Sequence, residues 1–315
     1  MHARYFWAVV FTAATALSAS AQAKDRDRDR DRDRDRDDDS DYASRVDTIL
    51  PLGRNGTVEI RLHTGEIMVT GWTRNEVRVR GTSERGVISI DATASRIDIG
   101  TRPEHSRRGE ATVEITVPEG TRLTVAGSSA DVSVRGVKGE VEVTTMNGDV
   151  EIDNATSRVS FESVSGDVTV SRVQGDLRGE AMSGEIGVTD VTGEVDVESV
   201  SGDLTLHNVR SKSVRAETVS GTIEFEGRTE GGGRYDFASH SGDVRLMLPS
   251  ALSALISVET FSGTIDSDFP ITLQPGQRHG KEFEFQVGDG GARIGATSFS
   301  GGIYIQRSGT SRNPE

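Results

Sequence analysis

The chain has 315 residues, of which 34% are hydrophobic and 5% aromatic, and its formal net charge is −14 at pH 7. A chain of this length can bury a sizeable core, but that core must be aliphatic rather than aromatic. The acidic balance argues against nucleic acid as a partner, and the absence of cysteine excludes disulfides, a thiol nucleophile, thiolate metal sites and a lipid-anchoring cysteine.

The first 23 residues have the pattern of a secretory signal peptide. Arg4 supplies a positive charge, residues 5–17 form a short apolar run, and Ala21-Gln22-Ala23 has the small-x-small form that signal peptidases cleave. An uncleaved membrane anchor is the alternative, but the run is too short to span a bilayer comfortably. We therefore expect an exported protein, periplasmic, secreted or at the cell surface, with no transmembrane segment after cleavage.

The next segment, residues 24–45, is dominated by alternating Asp and Arg. The run KDRDRDRDRDRDRDDDSD places like charges at i and i+4, which disfavours a helix, and it offers nothing apolar to bury. We expect a disordered tether here rather than a segment that adheres to charged surfaces.

Residues 46–136 alternate like strands but have no strict period. TVEIRL (57–62), VISIDA (87–92) and TVEITVP (112–118) are typical, and the gaps between such segments hold Gly, Asn, Pro or charged residues. This pattern indicates the less regular opening coils of a solenoid, or a cap over the open end of its sheet.

Residues 137–229 repeat with a period of nine. Successive blocks begin Gly-acid-aliphatic, as in GDVTVSRVQ (166–174) and GEVDVESVS (193–201), and carry a further apolar residue near their end. The two apolar residues spaced by two predict a short strand, and the third is expected on the same side beyond a bend. A single block cannot bury three apolar side chains, whereas stacked blocks can.

A second period, of eighteen residues, overlies the first. Turns that end in Ser-Gly or Asn-Gly recur at this interval, at Gly148, Gly166, Gly184 and Gly202. The sequence therefore predicts an all-β fold, a parallel β-solenoid resembling a β-helix or β-roll, with about 18 residues and two strands per coil. The crossover rule favours a right-handed solenoid. The regular return argues against the alternative, an antiparallel β-sandwich.

Residues 230–307 keep the alternation with looser spacing, as expected of longer closing coils. We therefore predict a single β-solenoid over residues 46–307, followed by a disordered tail at 308–315.

The repeated turns resemble those of a known bacterial family. VSGDVTV, VSGDLTL and VSGTIEF, which begin at residues 164, 200 and 219, are similar to turns of the putative-adhesin family of β-strand-repeat domains of unknown function, related to the head GIN domain of putative autotransporter adhesins. GEIMVTGW (65–72) is similar to the opening of that family, and GARIGATSFSGGIYIQR (291–307) to its closing coil. The resemblance implies the solenoid fold and an adhesive role, and it brings no catalytic residues.

Carboxylates fall in register if a coil has eighteen residues. One row would hold Asp149, Asp167, Glu185 and Asp203, and the other would hold Glu140, Asp176 and Glu194, interrupted by Arg158. Unit charges about 4.8 Å apart repel by about 0.9 kcal/mol in water, so these side chains must stay hydrated or meet cations. Loose binding of divalent cations is one hypothesis, but one acid per turn supplies too few oxygens for calcium. A solvated acidic edge is the preferred interpretation.

The chain shows no recognisable catalytic constellation. It contains no G-x-S-x-G elbow, and the corner serines are expected to be structural, namely Ser165, Ser183, Ser201 and Ser220. None of the histidines lies within four residues of another, and we interpret them as surface residues: His2, His63, His105, His207, His240 and His279. We predict no catalytic, cofactor-binding or metal-ligating residue, and no cofactor.

The sequence thus predicts an exported, non-enzymatic β-solenoid with a structural, adhesive or surface-binding role at the cell envelope, where its partner is an envelope polymer or protein. The alternative is a periplasmic regulatory or sensory binding module that works with a membrane partner. A polysaccharide-acting β-helix enzyme is a remote third possibility, because no pair of carboxylates stands out from the repeat.

Overall fold

The structure, a computed structural model, describes residues 44–84, 86–102, 109–270 and 281–308. The predicted signal peptide, almost all of the tether and the tail after Ser308 lie outside these residues. The described residues form strands and no helix, and accordingly contain no helix of the length and hydropathy needed to cross a membrane. The strands are β1 (Ser44–Pro51), β2 (Thr57–Trp72), β3 (Glu76–Ser83), β4 (Val87–Ala92), β5 (Arg96–Arg102), β6 (Ala111–Pro118), β7 (Arg122–Arg135), β8 (Val141–Asn147), β9 (Val150–Ala155), β10 (Val159–Ser165), β11 (Val168–Gln174), β12 (Leu177–Ser183), β13 (Ile186–Thr192), β14 (Val195–Ser201), β15 (Leu204–Ser220), β16 (Ile223–Ser241), β17 (Val244–Leu248), β18 (Ala254–Thr260), β19 (Ile265–Ser267), β20 (Lys281–Val287), β21 (Ala292–Ser298) and β22 (Ile303–Arg307).

The repeat region is a stack of parallel strands in a solenoid-like arrangement. Val168 in β11 is paired with Val150 on one side and with Ile186 on the other, each eighteen residues away. Strands β8, β10, β12, β14 and the second half of β15 pair successively, and we call them the first row. Strands β9, β11, β13 and the first half of β15 form the second row. Each nine-residue block is therefore one strand, and consecutive blocks alternate between the two rows.

The interior of this stack is aliphatic. Val168 and Val170 are buried while Thr169 between them is exposed, as period-two alternation requires. The same pattern continues through the stack, so that one hydrophobic core extends from Leu52 to Ile305. Each fully buried aliphatic side chain contributes about 1.5–3 kcal/mol, which is how stacking stabilises blocks that could not fold alone.

The third apolar residue of a block has a different position in each of the two rows. In the second row it is buried, as with Val173 and Val191, and the residue before it has a positive φ that turns the chain inward. Those positive-φ residues are Asn154, Arg172, Asp190 and Asn208, with φ values of 51° to 58°. In the first row the strand continues without this turn, so a residue such as Val200 points outward and Ser199 takes the inner position. The expectation that every block buries three apolar side chains is therefore wrong for the first row.

Antiparallel strands cover both ends of the stack. At the N-terminal end β1 pairs with β3, β3 with β6, and β4 with β5, and near the C-terminal end β18 pairs with β20. The last strands are also inserted out of chain order, because β21 lies between β16 and β18, and β22 lies between β17 and β19. Both ends of the stack thus contain antiparallel pairs, and the C-terminal end also has strands out of chain order, unlike the two central rows.

Candidate binding surface

Five exposed apolar side chains line up along the first row. Each is between 40% and 55% exposed and immediately precedes the Ser-Gly or Asn-Gly pair at the end of its strand. The register aligns them: because Ser165 pairs with Ser183, Val164 lies beside Met182. The five are Met146, Val164, Met182, Val200 and Val219.

Three aromatic rings continue this line toward the C-terminal strands. The ring of His240 stacks on Phe299 at a centroid distance of 4.9 Å and an interplanar angle of 8°. Phe299 stacks in turn on Phe261 at 5.0 Å and 1°, and Phe261 is 67% exposed. We call the eight side chains together the apolar ladder; with strands about 4.8 Å apart, its seven steps span about 34 Å.

A column of glutamates runs beside the ladder. Glu162, Glu180, Glu198 and Glu217 are paired in register, and each lies two residues before a ladder residue on the same outer face. Two residues of strand correspond to about 6.6 Å, so this glutamate column borders the ladder along one side.

Two arginines partly neutralise the glutamate column. Arg215 donates from Nη1 to Glu198 Oε1 and from Nη2 to Glu217 Oε2, both at 2.7 Å, and Arg178 Nη2 lies 3.1 Å from Glu180 Oε1. Burial nevertheless raises the pKa of Glu198, with Arg215 opposing the shift and the neighbouring carboxylates adding to it. The column is therefore a place where additional positive charge is favourable.

A second line of carboxylates follows the ladder across the corner of the coil. Asp149, Asp167, Glu185 and Asp203 each lie three residues after a ladder residue, and all four are exposed. We call them the turn-acid row; it is the first of the two acidic rows expected from the sequence. Its aspartates accept hydrogen bonds from the backbone of the next coil, as when Glu185 N donates to Asp167 Oδ1 at 2.9 Å and Thr222 N to Asp203 Oδ1 at 2.7 Å. The row therefore helps to hold the coils together.

The other acidic row is also engaged in local bonds. Glu194 N donates to Asp176 Oδ1 at 3.3 Å, and Glu140 Oε2 lies 3.0 Å from Arg122 Nη2. Arg158 lies among these acids, in an open polar depression of about 430 Å³ lined also by Ser157 and Gly175. Within the described ranges no group of three His, Asp or Glu side chains is arranged to hold a metal ion.

A second open depression, of about 440 Å³, lies near the N-terminal end of the stack. Its lining contains the carboxylates Glu66, Glu110 and Asp131 together with Thr112, Ser129 and Asn147. Neither depression is lined by a histidine or an aromatic side chain. The polar side chains of the two depressions are thus carboxylates, hydroxyls, one amide and one guanidinium.

The four corner serines lie at the ends of the first-row strands. Ser183, Ser201 and Ser220 are exposed and Ser165 is half-buried. Near Ser220 the inner residue two positions earlier bonds to the backbone, since Thr218 Oγ1 donates to Gly202 O at 3.2 Å, whereas the equivalent hydroxyls of Ser163 and Ser199 are buried without a hydrogen-bond partner.

The described histidines lie apart from one another in the fold. His63 is exposed, His240 belongs to the apolar ladder, and His207 Nδ1 lies 3.3 Å from Glu226 Oε2. The remaining three, His2, His105 and His279, lie outside the described residues.

Sequence reasoning missed the apolar ladder, although a signal for it was present. In VDVESVS (195–201), strict alternation places Ser199 in phase with Val195 and Val197, and therefore Val200 out of phase with them. Small residues at the corresponding inner positions, such as Ala181 and Ser163, likewise indicate that the residue after them faces outward. The apolar character of Val200 and Met182 had suggested burial, whereas the phase of the strand predicts exposure.

Comparison with known proteins identifies one family. The Toastrack DUF4097 family model matches residues 53–306. No curated protein shows a significant match to the chain.

Solved structures that are similar to the chain include the following two. One is described as a "putative cell adhesion protein" from Clostridium sporogenes ATCC 15579, with 10% sequence identity, a TM-score of 0.23, and coverage of 84% of this chain and 99% of that chain. The other is described as a "putative lipid binding protein" from Parabacteroides distasonis ATCC 8503, with 11% identity, a TM-score of 0.49, and coverage of 84% and 97% respectively.

Proposed function

Since this chain belongs to the Toastrack DUF4097 family, whose domains are of unknown function, we propose that it is an exported, non-enzymatic binding module of the cell envelope. In this role the stacked strands are a rigid scaffold that presents the same outward positions coil after coil. A partner, either an envelope polymer or an envelope protein, makes many small contacts along the stack rather than entering one pocket.

The apolar ladder is the observation that carries this proposal. Single exposed apolar side chains are normal on a protein surface, but a contiguous apolar patch marks an interaction site. Here seven exposed apolar side chains and the ring of His240 follow one another over about 34 Å. A surface like this is costly to leave in water, so we infer that it is covered by a partner when the module acts.

The arrangement of carboxylates supports a binding role over a catalytic one. Hydrolysis of a glycosidic bond uses two carboxylates set at a fixed separation across the substrate, one of them with a raised pKa. In this chain the acids repeat from coil to coil, and several accept backbone hydrogen bonds or pair with arginine. Such engaged side chains suit a scaffold.

Location and architecture complete the proposal. The signal peptide in residues 1–23 supports export to the periplasm or the cell surface, and the tether in residues 24–45 acts as a spacer before a single solenoid at 46–307. The eighteen-residue pairing interval supports a coil of about 18 residues with two strands. The crossover rule supports a right-handed solenoid.

Fractionation of cells that express the full chain tests the proposal. We compare the wild type with the double variant Met182→Ser/Val200→Ser and with Val87→Ser, a control that removes an equally exposed valine away from the ladder. The wild type and the control are expected in the envelope fraction, and the ladder variant in the soluble fraction.

The same distribution for all three proteins would overturn the proposal that the ladder attaches the module to the envelope. A wild-type protein that is free in the periplasm with one stoichiometric partner would favour the regulatory module instead.

A further inference from the structure

We propose that the occupant of the apolar ladder is a basic amphipathic helix that lies along the stack, with its apolar stripe on the ladder and its Lys and Arg side chains over the flanking carboxylates. This inference rests on the proposed binding role and specifies the chemistry of the partner.

Charge on both sides of the ladder selects a basic partner. The glutamate column and the turn-acid row place four carboxylates each along the ladder, against two arginines in the adjoining column, Arg178 and Arg215. The chain as a whole carries a net charge of −14. An anionic membrane surface or another acidic protein would meet repulsion along the whole ladder, whereas a basic partner gains attraction at every coil.

The spacing of the ladder selects a helix. Its positions repeat every 4.8 Å or so, and a helix presents apolar side chains about once per turn, every 5.4 Å. An extended strand presents them about every 6.7 Å and loses register after two positions. A helix of about 22 residues has the full length of about 34 Å and drifts from the ladder by only about 0.6 Å per step, against about 1.9 Å for a strand. One basic flank of this helix reaches the glutamate column, about 6.6 Å to the side.

The composition of the ladder suits this occupant. Met146 and Met182 are flexible and polarisable side chains that adapt to a small mismatch of spacing. Phe261 and Phe299 offer large apolar area at one end. At Glu198, where burial raises the pKa, a cation from the partner favours the ionised carboxylate.

Other occupants are disfavoured by the same charges. A second copy of the chain placed face to face would bring two sets of carboxylate columns together. An anionic lipid surface would meet the same columns. Both occupants are distinguishable outcomes of the experiment below.

The test uses the purified mature chain and three synthetic peptides of about 22 residues. The first has a leucine stripe with lysine flanks, the second the same stripe with glutamate flanks, and the third the composition of the first in scrambled order. Binding is measured by fluorescence anisotropy at about 0.15 M salt. We expect the lysine-flanked peptide to bind at least about tenfold more tightly than the other two.

Variants connect this binding to the named residues. We expect two double variants to lower the affinity for the lysine-flanked peptide by about tenfold or more, namely Met182→Ser/Val200→Ser and Glu180→Gln/Glu198→Gln. The control Val87→Ser should leave this affinity unchanged. Glu180→Lys/Glu198→Lys should improve binding of the glutamate-flanked peptide. All of these side chains are outward-facing, and matching circular dichroism and melting curves verify that each variant is folded.

Several outcomes would overturn the inference. These are equal binding of the lysine- and glutamate-flanked peptides, ladder variants that bind as the wild type does, ladder-dependent binding to vesicles containing phosphatidylglycerol, or ladder-dependent dimers in sedimentation. A further outcome is that the ladder variant appears in the soluble fraction while the lysine-flanked peptide fails to bind the wild type. In that case the binding role stands and only the basic helix is rejected.

Discussion

The backbone amide of Asp167 donates a hydrogen bond of 2.9 Å to Oδ1 of Asp149, the residue eighteen positions earlier. The same bond links Asp149 N to Asp131 Oδ1 at 3.0 Å. An aspartate after a corner glycine is therefore an acceptor for the next coil, which gives a physical reason for aspartate at this position of the blocks. Repulsion between stacked carboxylates is offset in part by these charge-assisted bonds.

The first prediction concerns Asp167 as a hydrogen-bond acceptor for the next coil. Asp167→Ala leaves Glu185 N without its side-chain acceptor and is expected to lower the free energy of unfolding by about 1 kcal/mol. Asp167→Asn keeps an oxygen at the same position and should retain most of the stability. Urea unfolding of both variants measures the difference, and equal losses would show that charge rather than the hydrogen bond matters.

The second prediction concerns calcium. In the turn-acid row each coil supplies one acid, and the aspartates that accept backbone amides have one oxygen already engaged, whereas calcium takes six to eight oxygen ligands. Millimolar calcium should therefore leave the thermal midpoint unchanged. Magnesium at the same ionic strength is the control, and a rise specific to calcium would restore the hypothesis of a divalent-cation site.

The third prediction concerns the corner glycines. Gly166 has a φ of +121°, and a Cβ there would lie 2.3 Å from Gly148 O in the preceding coil. Gly166→Ala is therefore expected to destabilise the fold by more than about 2 kcal/mol. Gly187→Ala is the matched control, because its Cβ would lie 3.9 Å from Val168 O. Chemical unfolding should separate the two variants clearly, and equal midpoints would contradict close packing at the corners.

Much of the central stack could be predicted from the sequence because its physical cause is local and repeated. The interval between corner glycines predicted that Val168 would pair with residues eighteen positions away, and parallel pairing follows from that interval. The resemblance of the Ser-Gly turns to the putative-adhesin domains is also confirmed by the family match over residues 53–306.

The ends of the stack could not be predicted in the same way. Alternating segments such as EVRVRG (76–81) look alike whether their neighbours run parallel or antiparallel, since alternation reports only which face is buried. The insertion of β21 between β16 and β18 depends on contacts distant in sequence. The ladder escapes prediction for another reason: the apolar character of Val200 favours burial, whereas its phase relative to Val197 places it on the outer face.

The fourth prediction tests the assignment of faces in the central strands. Val170 is fully buried, so Val170→Asp places an unpaired charge in the core and should unfold the protein or cost several kcal/mol. Thr169→Asp places the same group outside, opposite Glu151 of the preceding coil, and should cost only the small repulsion of exposed charges. Circular dichroism and thermal melting compare the two, and similar melting curves would show that the faces are reversed or mobile.

The last prediction concerns the pH dependence of stability at Glu198. Because burial raises the pKa of this carboxyl above its usual value, the ionised form is less favourable in the folded state than in the unfolded chain. The resulting loss of stability is fully present above the folded pKa and disappears as the pH falls toward 4.5, the usual value. Glu198→Gln should therefore have a slightly higher melting midpoint than the wild type at pH 7, and no advantage below about pH 4.5.

Asp98 provides a control of opposite sign. The hydrogen bond from Arg96 Nε to Asp98 Oδ1, at 2.9 Å, lowers the pKa of this carboxyl below 3.8, so its contribution is present at pH 7 and is lost only as the pH falls through the folded pKa. Asp98→Asn should therefore melt below the wild type at pH 7 and approach it in stronger acid. If Glu198→Gln lowers the midpoint at pH 7, as Asp98→Asn is expected to do, burial at Glu198 does not outweigh its ion pair with Arg215, and the glutamate column is already neutralised without a partner.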